Sequence, residues 1–184
     1  MALRDATEGA GIDVEPQPLP PIGSLLMTRA LQLAADYLGV EEDPPGSNRG
    51  VDVDRFVAGP VGRFAYLVPQ PGKRGIPWCA RFAASMIESA ARDLGMIDPL
   101  RGAGDLASAY KWLRWAKAAG KRRNDPKPGY IGLLLHEDNT GHVVMVTHVE
   151  GEYVRTIEGN ASNGARCRLR VIAGFAAWVD PVAG

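Results

Sequence analysis

Residues 141–160 read GHVVMVTHVEGEYVRTIEGN, and the reading of this stretch decides the fold. Apolar side chains dominate 142–149 and again 153–157, with Glu150, Gly151 and Glu152 between them, which is the pattern of two strands joined by a tight turn. If the turn takes residues 150–152, His142 stands opposite Asn160 and diagonal to Glu158, with all three side chains on one face. A two-residue turn moves that face by one, so the parity rests on the length of the turn.

Working outward, further strands are predicted at 131–135, 169–172 and 175–179, separated by Gly, Asn and Asp turns. Upstream the period changes. Ser24 is a candidate N-cap for a helix whose apolar positions run from Leu25 to Leu38 and stop at Gly39. A second helix runs over 79–94, with Cys79 in its first turn and Gly95 at its end. A third follows Asp105, another candidate N-cap, and reaches Gly120. The Pro- and Gly-rich segment 41–74 reads as loop, with one short helical turn over 53–57, and a loop of that length in a compact domain usually has a function. Residues 1–22 carry Pro16, Pro18, Pro20 and Pro21 and read as a flexible extended arm, ahead of one domain at 23–184. Helices first and strands second predict an α+β domain, with N-terminal helices packed on a mostly antiparallel C-terminal sheet.

Composition narrows the function. The 184 residues hold 21 Lys and Arg against 21 Asp and Glu, and 46% are hydrophobic. That is ample for one core, while zero formal charge removes the cationic field that non-specific binding to nucleic acid or an anionic membrane needs. The longest apolar stretch, 171–179, is far short of a bilayer span, so no membrane insertion is expected. The N-terminus has acids where a signal peptide has bases, so no signal peptide is expected and the chain is placed in the cytoplasm, a host's included, until release or dedicated export. A monomer is expected.

Two cysteines make no disulfide framework, and Cys167 reads as a bystander in a late strand. Cys79 differs because a helix N-terminus stabilises a thiolate. A thiol nucleophile needs a base, and the chain offers His136, His142 and His148. Only His142 has acceptors, Glu158 and Asn160, placed to orient its ring. His142 and His148 stand about 20 Å apart along a strand, too far for one zinc, and no metal or other cofactor is predicted. The cations Lys117, Lys121, Arg122, Arg123 and Lys127 read as a solvated helix end. Trp112 and Trp115 read first as core and, with Trp78, second as the wall of a substrate groove.

The order of Pro77-Trp78-Cys79-Ala80-Arg81-Phe82, then Gly141-His142-Val143-Val144-Met145-Val146, then Thr156-Ile157-Glu158-Gly159-Asn160 resembles the CHAP domains. These are the cysteine, histidine-dependent amidohydrolases/peptidases of the NlpC/P60-like, papain-like superfamily, common in phage endolysins. With Leu38-Gly39-Val40-Glu41-Glu42, Pro45-Gly46-Ser47-Asn48-Arg49-Gly50 and Gly174-Phe175, the likeness covers about residues 24–180. It implies a papain-like fold and hydrolysis of an amide in the peptide part of bacterial peptidoglycan, as an N-acetylmuramoyl-L-alanine amidase or an endopeptidase. It makes Cys79 the nucleophile, His142 the base and Glu158 the residue orienting it, with Asn160 an additional or competing third member. The loop before the cysteine, Pro71-Gly72-Lys73-Arg74-Gly75-Ile76, lacks the acids of calcium-binding relatives, and no Gln precedes Cys79; the Cys79 N–H is one candidate oxyanion donor. An interbacterial toxin or phage-tail hydrolase would share this chemistry, and a catalytically silent wall-binding module would keep only the fold.

Overall fold

The structure, a computed structural model, describes residues 11–20 and 22–183. Helix α1 (Leu25–Asp36) starts where expected: Ser24 is extended, and its Oγ accepts the Met27 N–H at 3.3 Å. It buries Leu26, Met27, Ala30, Leu31 and Ala34. Segment 41–74 holds more structure than its composition suggested. Helix α2 (Val51–Ala58) has two full turns and buries Val53, Phe56 and Val57, and a 3-10 turn follows at Ala65–Leu67. Helix α3 (Cys79–Asp93) is buried nearly all round from Cys79 to Ile87. Helix α4 (Ala109–Ala118) begins later than predicted, because Ser108 rather than Asp105 caps it, accepting the Lys111 N–H at 3.2 Å. Leu106 takes a positive φ of 45°, which breaks any helix from Asp105. The Asp105 carboxylate instead holds the Ala107 N–H at 3.0 Å and Lys111 Nζ at 2.7 Å.

Among the described residues seven strands form one sheet: β1 (Ile12–Asp13), β2 (Arg122–Arg123), β3 (Ile131–Leu135), β4 (Gly141–Glu150), β5 (Tyr153–Ala161), β6 (Gly164–Val171) and β7 (Ala177–Val179). Their order is β1-β6-β5-β4-β3-β7-β2, and every pairing is antiparallel. The four helices with this sheet are the α+β arrangement predicted. Val143, Met145 and Ile157 join the core made with α1 and α3, while Val146, Val154 and Trp178 pack as a second, smaller cluster.

The hairpin turn holds two residues, since Glu150 pairs with Tyr153. Taken alone, that would reverse the predicted parity. A β-bulge between Val146 and His148 adds one residue back, so Met145 faces Ile157, in the register that a three-residue turn would have produced. His142 and Glu158 therefore keep one parity, through a bulge that the sequence reading did not contain.

Three further expectations change. Strand β6 begins five residues before the predicted 169, because Arg166 and Arg168 interrupt the apolar pattern although Arg168 is itself buried. Arg122 and Arg123 form an edge strand on β7 instead of a solvated helix end, and Lys121 Nζ donates to the carbonyls of Pro181 (2.9 Å) and Ala183 (2.6 Å). The arm is extended but docked. Ile12 and Asp13 pair with Leu169 and Arg168, the Val14 N–H reaches the Cys167 carbonyl at 3.0 Å, and His148 Nε2 contacts the Pro18 carbonyl at 3.0 Å. This edge strand satisfies backbone groups on β6 that a free arm would leave open. Residues 1–10 and Pro21 of the predicted arm lie outside the described residues. Among those described, no helix is long and apolar enough to cross a membrane.

Candidate active site

Cys79 is the first residue of α3 and is a free thiol, 4% exposed. Trp78 before it has φ −108° and ψ 2°, so the helix starts at the cysteine and the first-turn N–H groups have no acceptor inside the helix. The His142 side chain and the backbone N–H groups of Ala80 and Val143 stand around the sulfur and favour its charged form.

His142 sits at the start of β4, next to Gly141, whose bare Cα allows the strand to pass against Ala109 and the Leu134 carbonyl. Its Nε2 lies 2.9 Å from Glu158 Oε2, which leaves Nδ1 for the sulfur. Glu158, on β5, is wholly buried and fully partnered. Its Oε1 accepts from Thr156 Oγ1 at 2.5 Å and from Arg170 Nε at 2.5 Å, and its Oε2 accepts from a second Arg170 nitrogen at 2.7 Å. Such a bidentate guanidinium is what makes a buried carboxylate tolerable.

The charges alternate along this line. Burial pushes the Cys79 thiol up, but the facing His142 charge, its hydrogen bond and the two N–H groups outweigh it, and the thiol falls below its ordinary value. Burial lowers the His142 imidazole, yet Cys79 and Glu158 flank it and carry it from 6.5 to about 9. For Glu158, burial raises the carboxyl, while Arg170 and His142 hold it far below the usual carboxylate range. At neutral pH the imidazole is protonated and the carboxylate ionised, and the imidazolium favours the thiolate form of the thiol that faces it. A thiolate beside a proton donor can attack an electrophilic carbon and return a proton to the leaving group.

Of the residues singled out from sequence, the structure brings Cys79, His142 and Glu158 into one chain of contacts. Asn160 stands apart from it. Its φ is 56°, and its amide lies 3.0 Å from that of Asn48 rather than on the imidazole. The groove tryptophans need correction. Trp78 and Trp112 are completely buried, with Trp112 Nε1 donating to the Ala80 carbonyl at 3.3 Å, so neither forms a wall of an open groove. Trp115 is half-buried against Trp112, with the Lys121 ammonium 5.8 Å from its ring. Arg170 and Thr156 were missed. The signal available was Arg166, Arg168 and Arg170 at period two on one strand, a row of cations that needs an acid facing it if the strand is buried.

A family model described as the CHAP domain matches residues 71–160, the span that contains Cys79, His142, Glu158 and Asn160. Over that span the chain is similar to the CHAP domain family. The matched span is shorter than residues 24–180, and α1, α2, β6 and β7 fall outside it. CHAP domains are hydrolases that act on peptidoglycan. Among solved structures, one described as the crystal structure of Ly7917 with the hydrolyzing product of MDP is similar, with a TM-score of 0.40 and 16% identity over 84% of this chain. This chain spans 62% of that protein's length. No curated protein matches the chain.

Proposed function

We propose that the chain is a peptidoglycan hydrolase that cuts an amide in the peptide part of the wall through Cys79. The observation that carries this reading is the unbroken run of contacts Cys79–His142–Glu158–Arg170 at the start of α3, within the CHAP match. The Cys79 thiolate attacks the amide carbon, and the carbonyl π electrons move onto oxygen. The Cys79 backbone N–H, in the first turn of α3, faces that oxyanion. His142 gives its Nδ1 proton to the departing nitrogen as the C–N bond breaks, leaving a thioester and a free amine. The neutral imidazole then takes a proton from water; the hydroxide adds to the thioester, the C–S bond breaks, and acid product and thiolate are released. Glu158 keeps Nε2 protonated and the ring aimed, and Arg170 keeps Glu158 ionised.

The biological setting in this reading is that of a lysin, and the bond is either the amide between muramic acid and L-alanine or a peptide bond of the stem or cross-bridge. Mass spectrometry of the fragments released from purified wall tests the hydrolysis and identifies the bond. New amine termini on stem peptides identify the amidase, new termini within the peptide the endopeptidase, and an undigested wall would overturn the reading.

A further inference from the structure

A second buried carboxylate stands behind the nucleophile, in the segment 41–50. Glu42 is 3% exposed, and its backbone is anchored by its N–H on the Asn163 carbonyl at 2.8 Å. Its Oε2 accepts the Asn48 N–H at 2.9 Å, and its Oε1 accepts Trp78 Nε1–H at 2.9 Å. The Asn160 amide satisfies both of its ends with nitrogen toward Glu42 Oε1 (3.1 Å) and oxygen toward the Trp78 backbone N–H (3.2 Å). One carboxylate thus holds both ends of the residue from which α3 starts: the indole directly, and the backbone through Asn160. The Trp78 ring is clamped between Phe56, at 5.7 Å, and Phe82, at 6.0 Å.

We propose that Glu42 is a positioning residue for the nucleophile, acting through Trp78 and Asn160 to set where Cys79 Sγ lies relative to His142. The inference rests on the hydrolase reading. Cys79 and His142 belong to different elements, α3 and β4, so their contact depends on how the start of α3 is fixed to the sheet. Glu42 does this from the β5–β6 turn at Asn163, the turn that follows the strand carrying Glu158. All three of its partners are donors. An acceptor-only group suits them, whereas a glutamine would present an amide N–H to one of them. Asn160 then has a definite task two residues beyond Glu158, which is to tie the end of β5 to the residue before the nucleophile.

The test compares wild type, Glu42→Gln and Trp78→Phe, the last removing only the indole donor. It reads the rate of Cys79 alkylation by iodoacetamide across pH, resolved from Cys167 by peptide mass spectrometry, and kcat and KM on purified wall. A displacement of about 1 Å costs on the order of a hundredfold in rate. Folded Glu42→Gln is expected to lose about ten- to a hundredfold in kcat with KM unchanged, and its alkylation profile is expected to move to higher pH. Trp78→Phe is expected to move both in the same direction by less, and it decides the matter should Glu42→Gln not fold. Wild-type alkylation and kcat in the folded variants would overturn the proposal. A moved alkylation profile with a wall that wild type leaves intact would instead support the positioning role and overturn the hydrolase reading.

Discussion

At the residue scale the central property is where two protons sit. With His142 raised to about 9 the imidazolium is present at neutral pH and favours ionisation of Cys79, which is lowered, and kcat/KM should fall as pH rises through about 9 and the imidazolium loses its proton. A rate that keeps rising through that pH would contradict the pairing. Stability should behave differently. His142 alone, raised on folding, would contribute stability that is complete below 6.5 and lost as pH rises through about 9. Cys79 alone, lowered on folding, would contribute stability present above its unfolded value of 9.0 and lost as pH falls toward its folded one. The two contributions change in opposite directions as pH rises, so urea midpoints at pH 7 and pH 8.5 should differ by less than either group alone would make them. Glu158→Gln keeps an acceptor for the imidazole but leaves the Arg170 guanidinium without its carboxylate. Its kcat should fall about a hundredfold and its stability by about 3 kcal/mol, read from steady-state rates and denaturant melts.

At the element scale, the site is a meeting of α3 with β4 and β5, and glycine is what allows it. A Cβ on Gly159 would stand 2.6 Å from Phe82 Cβ and 2.7 Å from the Trp78 ring, so β5 runs in contact with the start of α3 only because that position is bare. Gly159→Ala should cost about 1–3 kcal/mol in denaturant melts and slow the reaction by pushing the nucleophile helix off the strand that carries Glu158. Much at this scale was legible in sequence. Cys79 at a helix start and the 141–160 hairpin follow from helical and strand periodicity, which are local. What stayed hidden was non-local. The bulge near Thr147 leaves no trace in a run of apolar residues, and β6 was cut short because a strand whose inward residues are arginines has no hydrophobic period. The partner that makes those arginines reasonable, Glu158, lies on another strand.

At the scale of the whole molecule, the sheet is closed at one edge by chain that composition described as an arm. Proline content predicts an extended backbone correctly, but it does not say that the backbone finds an edge to pair with. Removing residues 1–20 would open β6 and free Arg168 from Asp13, now 2.8 Å away. At about 1 kcal/mol per exchanged hydrogen bond, the loss should be roughly 1–3 kcal/mol, measurable as a lower Tm; an unchanged Tm would contradict the docked edge. The claim on which the rest depends is that Cys79 attacks the wall, and the release of new amines from purified peptidoglycan by wild type and by Cys79→Ala measures it. The account predicts steady release by wild type and none above the no-enzyme rate by Cys79→Ala; equal release by the two proteins would contradict it.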